Sequence, residues 1–158
     1  MRVLLKLVLD CDPDDAWRAV QSPAVMQAVS APFMRFRSLE PGGFAETWTE
    51  GDHPVAVSAF GVVPAGEQVI RIALSERSGG IRVVKDTGRG LSGLVSAVTA
   101  WDHTLAVSSA GGGRTLYRDQ LVFEVGGLSL LAWPVYWVFW QWRAARMKQL
   151  APTWAVQR

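Results

Sequence analysis

Several kinds of residue are scarce in this sequence, and each shortage excludes a class of protein. Cys11 is the one cysteine among the 158 residues, so the chain can form no internal disulfide and does not require an oxidising compartment. We therefore expect a cytoplasmic protein. The two histidines, His53 and His103, are far from each other and from Cys11 in the sequence, without the spacing of metal ligands. No metal or other cofactor is expected.

Charge is the second shortage. Charged residues make up 19% of the chain and the net charge is +2, while the basic residues are scattered and form no stripe. A protein that follows a nucleic-acid backbone needs such a stripe, so we expect no nucleic-acid partner. Hydrophobic residues make up 49% of the sequence, which is typical of a globular chain, and the length fits a single ligand-binding domain over residues 1–158.

Long apolar runs are absent as well. Residues 126–142 carry no charge, but this segment is shorter than the roughly 20 apolar residues of a membrane span. Its tryptophans also lie centrally and not at the ends, where a bilayer interface would hold them. The apolar N-terminus is interrupted by Arg2, Lys6 and Asp10 and has no cleavage motif, which indicates a strand and not a signal peptide.

Two helix-start signals follow this first strand. Asp12 can accept backbone N–H bonds as an N-cap, and Pro13 suits the first turn of a helix. Ser22 and Pro23 repeat the pattern. They predict a second short helix over residues 24–29.

The middle of the chain has the pattern of an antiparallel sheet. Short β-branched and aromatic runs alternate with turns of Gly, Pro, Asp and Ser, and no segment between them has room for a crossover helix. The predicted strands are 35–40, 44–49, 55–63, 68–76, 81–86, 97–108 and 114–125.

A long helix is predicted over residues 130–150, with Pro134 in its first turn. Its apolar residues follow steps of three and four, so they form one stripe that can cover the apolar face of the sheet. The stripe consists of Trp133, Trp137, Trp140, Ala144 and Met147. The sequence thus predicts an α+β fold in which a curved antiparallel sheet wraps around a long C-terminal helix and leaves a cavity between them.

Several motifs resemble those of bacterial proteins of the START / Bet v 1-like (SRPBCC) superfamily. The matching segments are DPDDAW at 12–17, FGVVPAG at 60–66, WDH at 101–103, GRTLYRD at 113–119 and GGL at 126–128. The resemblance extends over essentially the whole chain and implies the helix-grip fold, with two short helices near the N-terminus. Because that superfamily contains lipid carriers, plant hormone receptors and polyketide cyclases, the resemblance implies a cavity for a lipid, isoprenoid, polyketide or aromatic molecule.

The last predicted hairpin places polar groups on an apolar face. By alternation, Trp101 and His103 share one face of their strand, and Tyr117 and Asp119 share one face of the next. A buried carboxylate is costly without a partner, so we expect His103 to pair with Asp119. The pair could orient a polar ligand group or act as acid and base. We prefer a third interpretation, a structural hydrogen bond at the open end of the sheet, because no further catalytic group is evident.

We expect the ligand to be held mostly by aromatic side chains from the sheet and the helix. The expected ligand-binding residues are Trp48, Phe60, Trp101, His103, Tyr117, Asp119, Phe123, Trp133, Trp137 and Trp140. The tryptophans of the helix have an alternative role, because aromatic stripes at helical spacing are more often core than ligand contacts.

Residues 88–93 match the G-x-G-x-x-G pattern of dinucleotide-binding sites. The segment that follows is typical of a strand, and no acid lies about 20 residues further on, so we expect no nucleotide. A flexible loop at the mouth of the cavity, able to act as a gate, is the interpretation that we prefer.

Three functions fit these patterns. The first is a module that binds an apolar small molecule, with the polar residues of the hairpin as anchors. The second is an enzyme, such as a polyketide cyclase or dehydratase, that uses the same residues for proton transfer. The third is an interaction protein with a filled core, whose helix presents Tyr136, Phe139 and Trp142 outward. For such a patch we favour a homodimer contact over a peripheral membrane contact.

Overall fold

The computed structural model describes residues 1–155, and its N-terminal elements lie where the sequence places them. They are β1 (Arg2–Leu9), α1 (Pro13–Val20) and α2 (Pro23–Ser30). The Asp12 carboxylate caps α1 by accepting a hydrogen bond from the backbone N–H of Asp14 at 2.9 Å. Ser22 stands at the N-cap of α2 without a side-chain cap bond, and Pro23 occupies the first turn.

The remaining strands complete one curved antiparallel sheet. They are β2 (Met34–Ser38), β3 (Gly51–Ala59), β4 (Val63–Arg77), β5 (Ile81–Asp86), β6 (Arg89–Gly90), β7 (Ala100–Gly111) and β8 (Arg114–Glu124). The strand order is β1-β8-β7-β5-β4-β3-β2, and the two-residue β6 pairs with β4. Turns of two or three residues join β3 to β4, β4 to β5 and β7 to β8, which accounts for the antiparallel pairing of these strands.

Helix α3 (Ser129–Leu150) packs against β1 and α2 and closes the concave side of the sheet. Its buried residues are Trp140, Ala144 and Met147, three members of the predicted stripe. Pro134 lies in the second turn and not the first, because the helix begins at Ser129. None of the helices in residues 1–155 is long and apolar enough to span a membrane.

The predicted stripe is wrong in one turn of α3. Trp137, expected to face inward, is 43% exposed, whereas Tyr136, expected to face outward, packs on Phe123 with ring centroids 4.2 Å apart. Adjacent helical residues differ by about 100° around the axis, so a stripe assigned one position too late turns a side chain out of the core.

Residues 44–49, predicted as a strand, form irregular backbone instead. The Trp48 backbone N–H donates to the carbonyl of Gln21 at 2.8 Å, and the indole packs edge-on against Phe44. The segment therefore attaches to the end of α1 and not to a neighbouring strand. A second difference lies before β7, where residues 97–99 precede the strand and Leu94–Ala97 form a short 3-10 helix.

Residues 88–93 pack closely against β4 in place of the free loop expected from the sequence. The backbone N–H groups of Leu91 and Ser92 both donate to the carbonyl of Glu67, at 2.7 and 3.2 Å. A Cβ on Gly90 would lie only 2.1 Å from the carbonyl oxygen of Val95. Close approach of two backbones therefore explains glycine in the G-x-G-x-x-G pattern, and no bound phosphate is needed to account for it.

Candidate functional site

A cavity of about 90 Å³ lies between the sheet, the two short helices and the C-terminal half of α3. Most of its wall is apolar. The apolar lining comes from α1 and α2 (Ala19, Val20, Val25, Met26, Val29), from the strands (Phe36, Ile70, Ile72, Val84, Leu105) and from Trp48, Trp101 and Met147. Alternation in the strands and the i, i+4 spacing in the helices direct these side chains to the interior.

Five polar side chains interrupt this apolar wall. They are Gln68, Asp86, His103, Tyr117 and Arg143. A largely apolar cavity with a small number of converging polar groups is the usual form of a small-molecule site.

Asp119 lies directly behind the wall and organises three of the surrounding side chains. His103 Nε2 is 2.9 Å from Asp119 Oδ1, and the Tyr117 hydroxyl donates to Oδ2 at 2.9 Å. The Trp140 indole N–H of α3 donates to Oδ1 at 2.8 Å. Asp119 is 2% exposed. The three partners therefore replace the water that the carboxylate loses on burial, and the indole bond attaches α3 to the sheet.

The charges around Asp119 favour its ionised form. Burial alone would raise the pKa of the carboxyl, but His103, Arg143 and the Trp140 N–H together hold it below its ordinary value of 3.8. Burial raises the pKa of Tyr117 well above 10, and the neighbouring carboxylate raises it further. Tyr117 is therefore a hydrogen-bond donor to Asp119 throughout the physiological range.

A second carboxylate, Asp86, lies beside His103 in the wall of the cavity. It stands directly opposite His103 in the register of β5 and β7, so both side chains point to the concave face. Its Oδ2 accepts the Trp101 indole N–H at 3.0 Å, and its Oδ1 accepts the backbone N–H of Gly88 at 2.9 Å. Burial raises the pKa of Asp86 although His103 lowers it. His103 thus lies beside two carboxylates, Asp119, whose pKa is lowered, and Asp86, whose pKa is raised.

Arg143 places a cation at the edge of the cavity. Its guanidinium lies 5.1 Å from the centre of the Trp140 ring and 6.0 Å from that of Phe139. Within residues 1–155, its buried Nε has no hydrogen-bond partner. A buried donor without an acceptor is unusual. Arg143 also lines the cavity, so its guanidinium can offer N–H donors to a bound molecule.

The structure brings four of the ten predicted ligand-binding residues into the cavity wall. They are Trp48, Trp101, His103 and Tyr117. The predicted pairing of His103 with Asp119 is confirmed by the 2.9 Å contact. Asp119 does not itself line the cavity and acts on the wall through His103 and Tyr117.

The other five predicted residues lie outside the wall. Phe123 and Trp140 are fully buried in a second part of the core. Trp133 stacks against Trp137 at the far end of α3, and its indole N–H donates to the carbonyl of Arg2 at 3.0 Å. Phe60 is 63% exposed at the turn after β3.

The sequence contained signals for three residues that the prediction missed. Asp86 ends a strand whose inner face continues from Val84, so alternation alone directs it inward. Arg143 lies three residues after Trp140 and four before Met147, which places it on the buried stripe of α3. Gln68 precedes Ile70 and Ile72 by two and four residues in β4, so alternation directs it inward as well. The side chains of α1 and α2 had no comparable signal, because their position depends on how the helices pack on the sheet.

Similar folds occur among solved structures. A hypothetical protein from Helicobacter pylori matches with a TM-score of 0.67 at 8% identity, over 96% of this chain and 88% of that one. A protein from Mesorhizobium loti matches at 0.64 and 14% identity, over 95% and 96% of the two chains. Norcoclaurine synthase from Thalictrum flavum matches at 0.63 and 13% identity, over 95% and 85%.

The chain has the Bet v 1-like fold. Its sheet, two short helices and long C-terminal helix are those of the helix grip that the sequence motifs imply. One Bet v 1-like structure, norcoclaurine synthase in complex with dopamine and hydroxybenzaldehyde, matches with a TM-score of 0.58 at 13% identity, over 95% of this chain and 85% of that one. No protein-family model and no curated protein matches the sequence.

Proposed function

We propose that the cavity binds a compact, largely apolar molecule that carries one oxygen acceptor. The observation that carries this proposal is the wall itself, which is apolar except for polar groups that converge near His103 and Arg143. Apolar burial would supply most of the affinity, and the few polar groups would fix the orientation of the molecule.

The volume limits the size of the ligand. About 90 Å³ is below the roughly 300–1,000 Å³ of typical ligand pockets. A single substituted ring or a short chain fits this space best, and a larger molecule requires the wall to move. Met26 and Met147 can adjust most easily, because an unbranched thioether side chain has three rotatable bonds.

The polar groups favour an oxygen acceptor on the ligand. The guanidinium of Arg143, which lines the cavity, can donate to a carbonyl, hydroxyl or carboxylate oxygen. His103 uses Nε2 for Asp119, which leaves Nδ1 for the ligand. The structure of norcoclaurine synthase holds two small aromatic molecules, dopamine and hydroxybenzaldehyde, which agrees with this proposal. The proposal does not rest on that likeness, because the two sequences are only 13% identical.

Native mass spectrometry of protein purified from its own host tests whether a ligand is retained. Calorimetry with toluene, phenol and benzoate tests whether an oxygen acceptor on the ligand strengthens binding. We expect phenol and benzoate to bind more tightly than toluene. Arg143→Met should weaken the binding of benzoate at least tenfold and leave the binding of toluene unchanged, because benzoate has an oxygen that accepts from Arg143 and toluene has none.

The matched controls are two tryptophans introduced on the same strand. Leu105→Trp fills the cavity and should abolish binding of all three probes, whereas Thr104→Trp, on the opposite face of β7, should leave binding unchanged. If wild-type protein retains no molecule and binds none of the probes, or if the two variants behave alike, the proposal is wrong.

A second candidate function is proton transfer on the bound molecule. The observation that favours it is His103, which lines the cavity while its Nε2 is held by Asp119, as in an oriented general base. In that case His103→Gln should retain a different molecule from the wild type, namely the substrate in place of the product. Retention of the same molecule by both proteins supports binding alone.

A further inference from the structure

Helix α3 carries a second apolar stripe, on the face opposite to its core stripe. Leu131, Val135, Val138 and Trp142 follow steps of four, three and four, so they lie in one line along the helix. Their exposed fractions are 73%, 68%, 56% and 36%. A helix that is apolar on both faces is normally covered on both faces. We call these four residues the outer stripe.

The outer stripe continues onto the turn between β3 and β4. Phe33 packs edge-on against Trp142 of α3, with ring centroids 5.4 Å apart, and against Phe60 at 5.8 Å. Beyond Phe60, Val62 and Val63 are 79% and 53% exposed. The exposed apolar side chains therefore form one continuous surface from the helix to the turn and are not scattered singly.

The backbone of this turn is itself unusual. Phe60 has φ +51°, a conformation that a bulky side chain rarely adopts and that Gly or Asn would take at lower cost. Its ring nevertheless points to solvent with 63% of its surface exposed. One edge of the ring packs on Phe33, and the backbone N–H of Phe60 donates to the carbonyl of Phe33 at 2.8 Å, but most of the side chain stays uncovered. Contact with an apolar phase would cover it.

The segment that carries the outer stripe has charges of one sign. From residue 125 to the end of the sequence there is no Asp or Glu, while Arg146 and Lys148 follow the outer stripe in the same segment and Arg143 faces the cavity. Arg35 runs beside Gly61 in the β3–β4 turn. Cations without acids at the border of an apolar face complement the anionic headgroups of a membrane surface, and a second copy of this chain would bring only the same cations.

From this geometry we propose that the outer stripe and the β3–β4 turn dock the protein on the surface of an anionic lipid bilayer. The helix lies in the plane of the interface, with Leu131, Val135 and Val138 toward the acyl chains. Trp142 borders the stripe at headgroup level, and because its indole N–H donates to the carbonyl of Ala31 at 2.7 Å, it is the exposed part of its ring that meets the lipid. The binding is peripheral, which differs from the homodimer contact that the sequence favoured.

Flotation with phosphatidylcholine vesicles and with vesicles containing about one third phosphatidylglycerol tests this proposal. We expect binding to the anionic vesicles, and a marked loss when the salt concentration screens the surface charges. The double variant Val135→Asp with Val138→Asp should lower the bound fraction at least tenfold, because it places two carboxylates on the apolar face. Both positions are exposed, so the fold should be unaffected.

The control adds the same charge at a distance from the outer stripe. Ser78→Asp with Ser109→Asp changes two exposed residues of other hairpins and should retain at least half of the vesicle binding. Binding of benzoate should be the same in both double variants, so failure of this proposal and failure of the ligand proposal are distinguishable.

Three results would overturn membrane docking. The first is the absence of binding to anionic vesicles, and the second is equal binding of both double variants. The third is a wild-type dimer in analytical ultracentrifugation that Val135→Asp with Val138→Asp dissociates while vesicles fail to bind, since the outer stripe would then be covered by a second copy.

Discussion

The two halves of α3 differ in both composition and surroundings. In residues 140–150 the apolar side chains Trp140, Ala144 and Met147 are buried against the sheet. In residues 129–139 many apolar side chains face outward, and Leu130 is 76% exposed. Helical periodicity describes residues 140–150 well, because polar residues fill most of their outer face. It describes residues 129–139 poorly, because apolar residues occur all round the helix there.

The difference follows from what each half contacts. The C-terminal half lies over the cavity and is attached by the Trp140 bond to Asp119. The N-terminal half covers the core cluster around Val3, Leu121 and Phe123 with one face only. Hydrophobicity therefore indicates that a helix will be buried. Whether the rest of the same chain buries it depends on which elements pack against each face.

The largest expected effect tests the attachment of the C-terminal half. Asp119→Ala leaves His103, Tyr117 and the Trp140 indole without their shared acceptor, and we expect the free energy of unfolding to fall by about 3–5 kcal/mol. Urea unfolding followed by tryptophan fluorescence measures it.

Asp102 supplies the control for this substitution. It forms an ion pair with Lys85 at 2.8 Å on the outer face of the sheet, where both side chains are about two-fifths exposed. Asp102→Ala should lower the free energy of unfolding by less than about 1 kcal/mol. Equal losses in the two variants would mean that Asp119 does not hold the sheet and α3 together.

Most of the fold could be predicted from the sequence because its signals are local. Asp12 and Pro13 mark the start of α1, and strand β5 has the predicted bounds 81–86. The error at residues 44–49 has a physical cause, since an alternating segment forms a strand only where a neighbouring strand offers hydrogen bonds. Here Trp48 bonds to the end of α1 instead.

The site was predictable where it lies on paired strands. Alternation in β7 and β8 was sufficient to bring His103 and Asp119 together, because two-residue periodicity decides which face each side chain occupies. On α3 the same reasoning failed for Trp137. Residues 129–139 contain eight large aromatic and aliphatic side chains, so this part of the helix has no polar face that would indicate which direction is inward.

A smaller effect separates two tryptophans of the same helix. Trp140→Phe removes an indole N–H that donates to a buried carboxylate, so we expect a loss of about 1–3 kcal/mol in unfolding free energy. Trp137→Phe changes a side chain that is 43% exposed, and the expected loss is below about 0.5 kcal/mol. Chemical denaturation of both variants measures the difference, and an effect of Trp137→Phe as large as that of Trp140→Phe would contradict the contrast between the halves.

The smallest expected effect is a difference in pH dependence between the two carboxylates that flank His103. Because the pKa of Asp119 in the folded protein is below 3.8, its contribution to stability is present above about pH 4 and is lost as the pH falls through the folded pKa. The pKa of Asp86 is raised, mainly by burial, so its contribution is present below about pH 4 and is lost as the pH rises through the folded pKa.

Substitution by asparagine should therefore give opposite trends. Relative to the wild type, the stability deficit of Asp119→Asn should be largest at pH 7 and should shrink below pH 4, whereas Asp86→Asn should gain on the wild type as the pH rises from 4 to 7. Urea unfolding at intervals between pH 3 and pH 7 measures both trends, and slopes of the same sign would be incompatible with this arrangement. Trp140 and Arg143 of α3 are among the groups that keep Asp119 ionised, so acid should weaken the hold of the C-terminal half first. Residues 129–139 contain no titratable group except Tyr136, whose pKa burial raises, and acid should leave their packing unchanged.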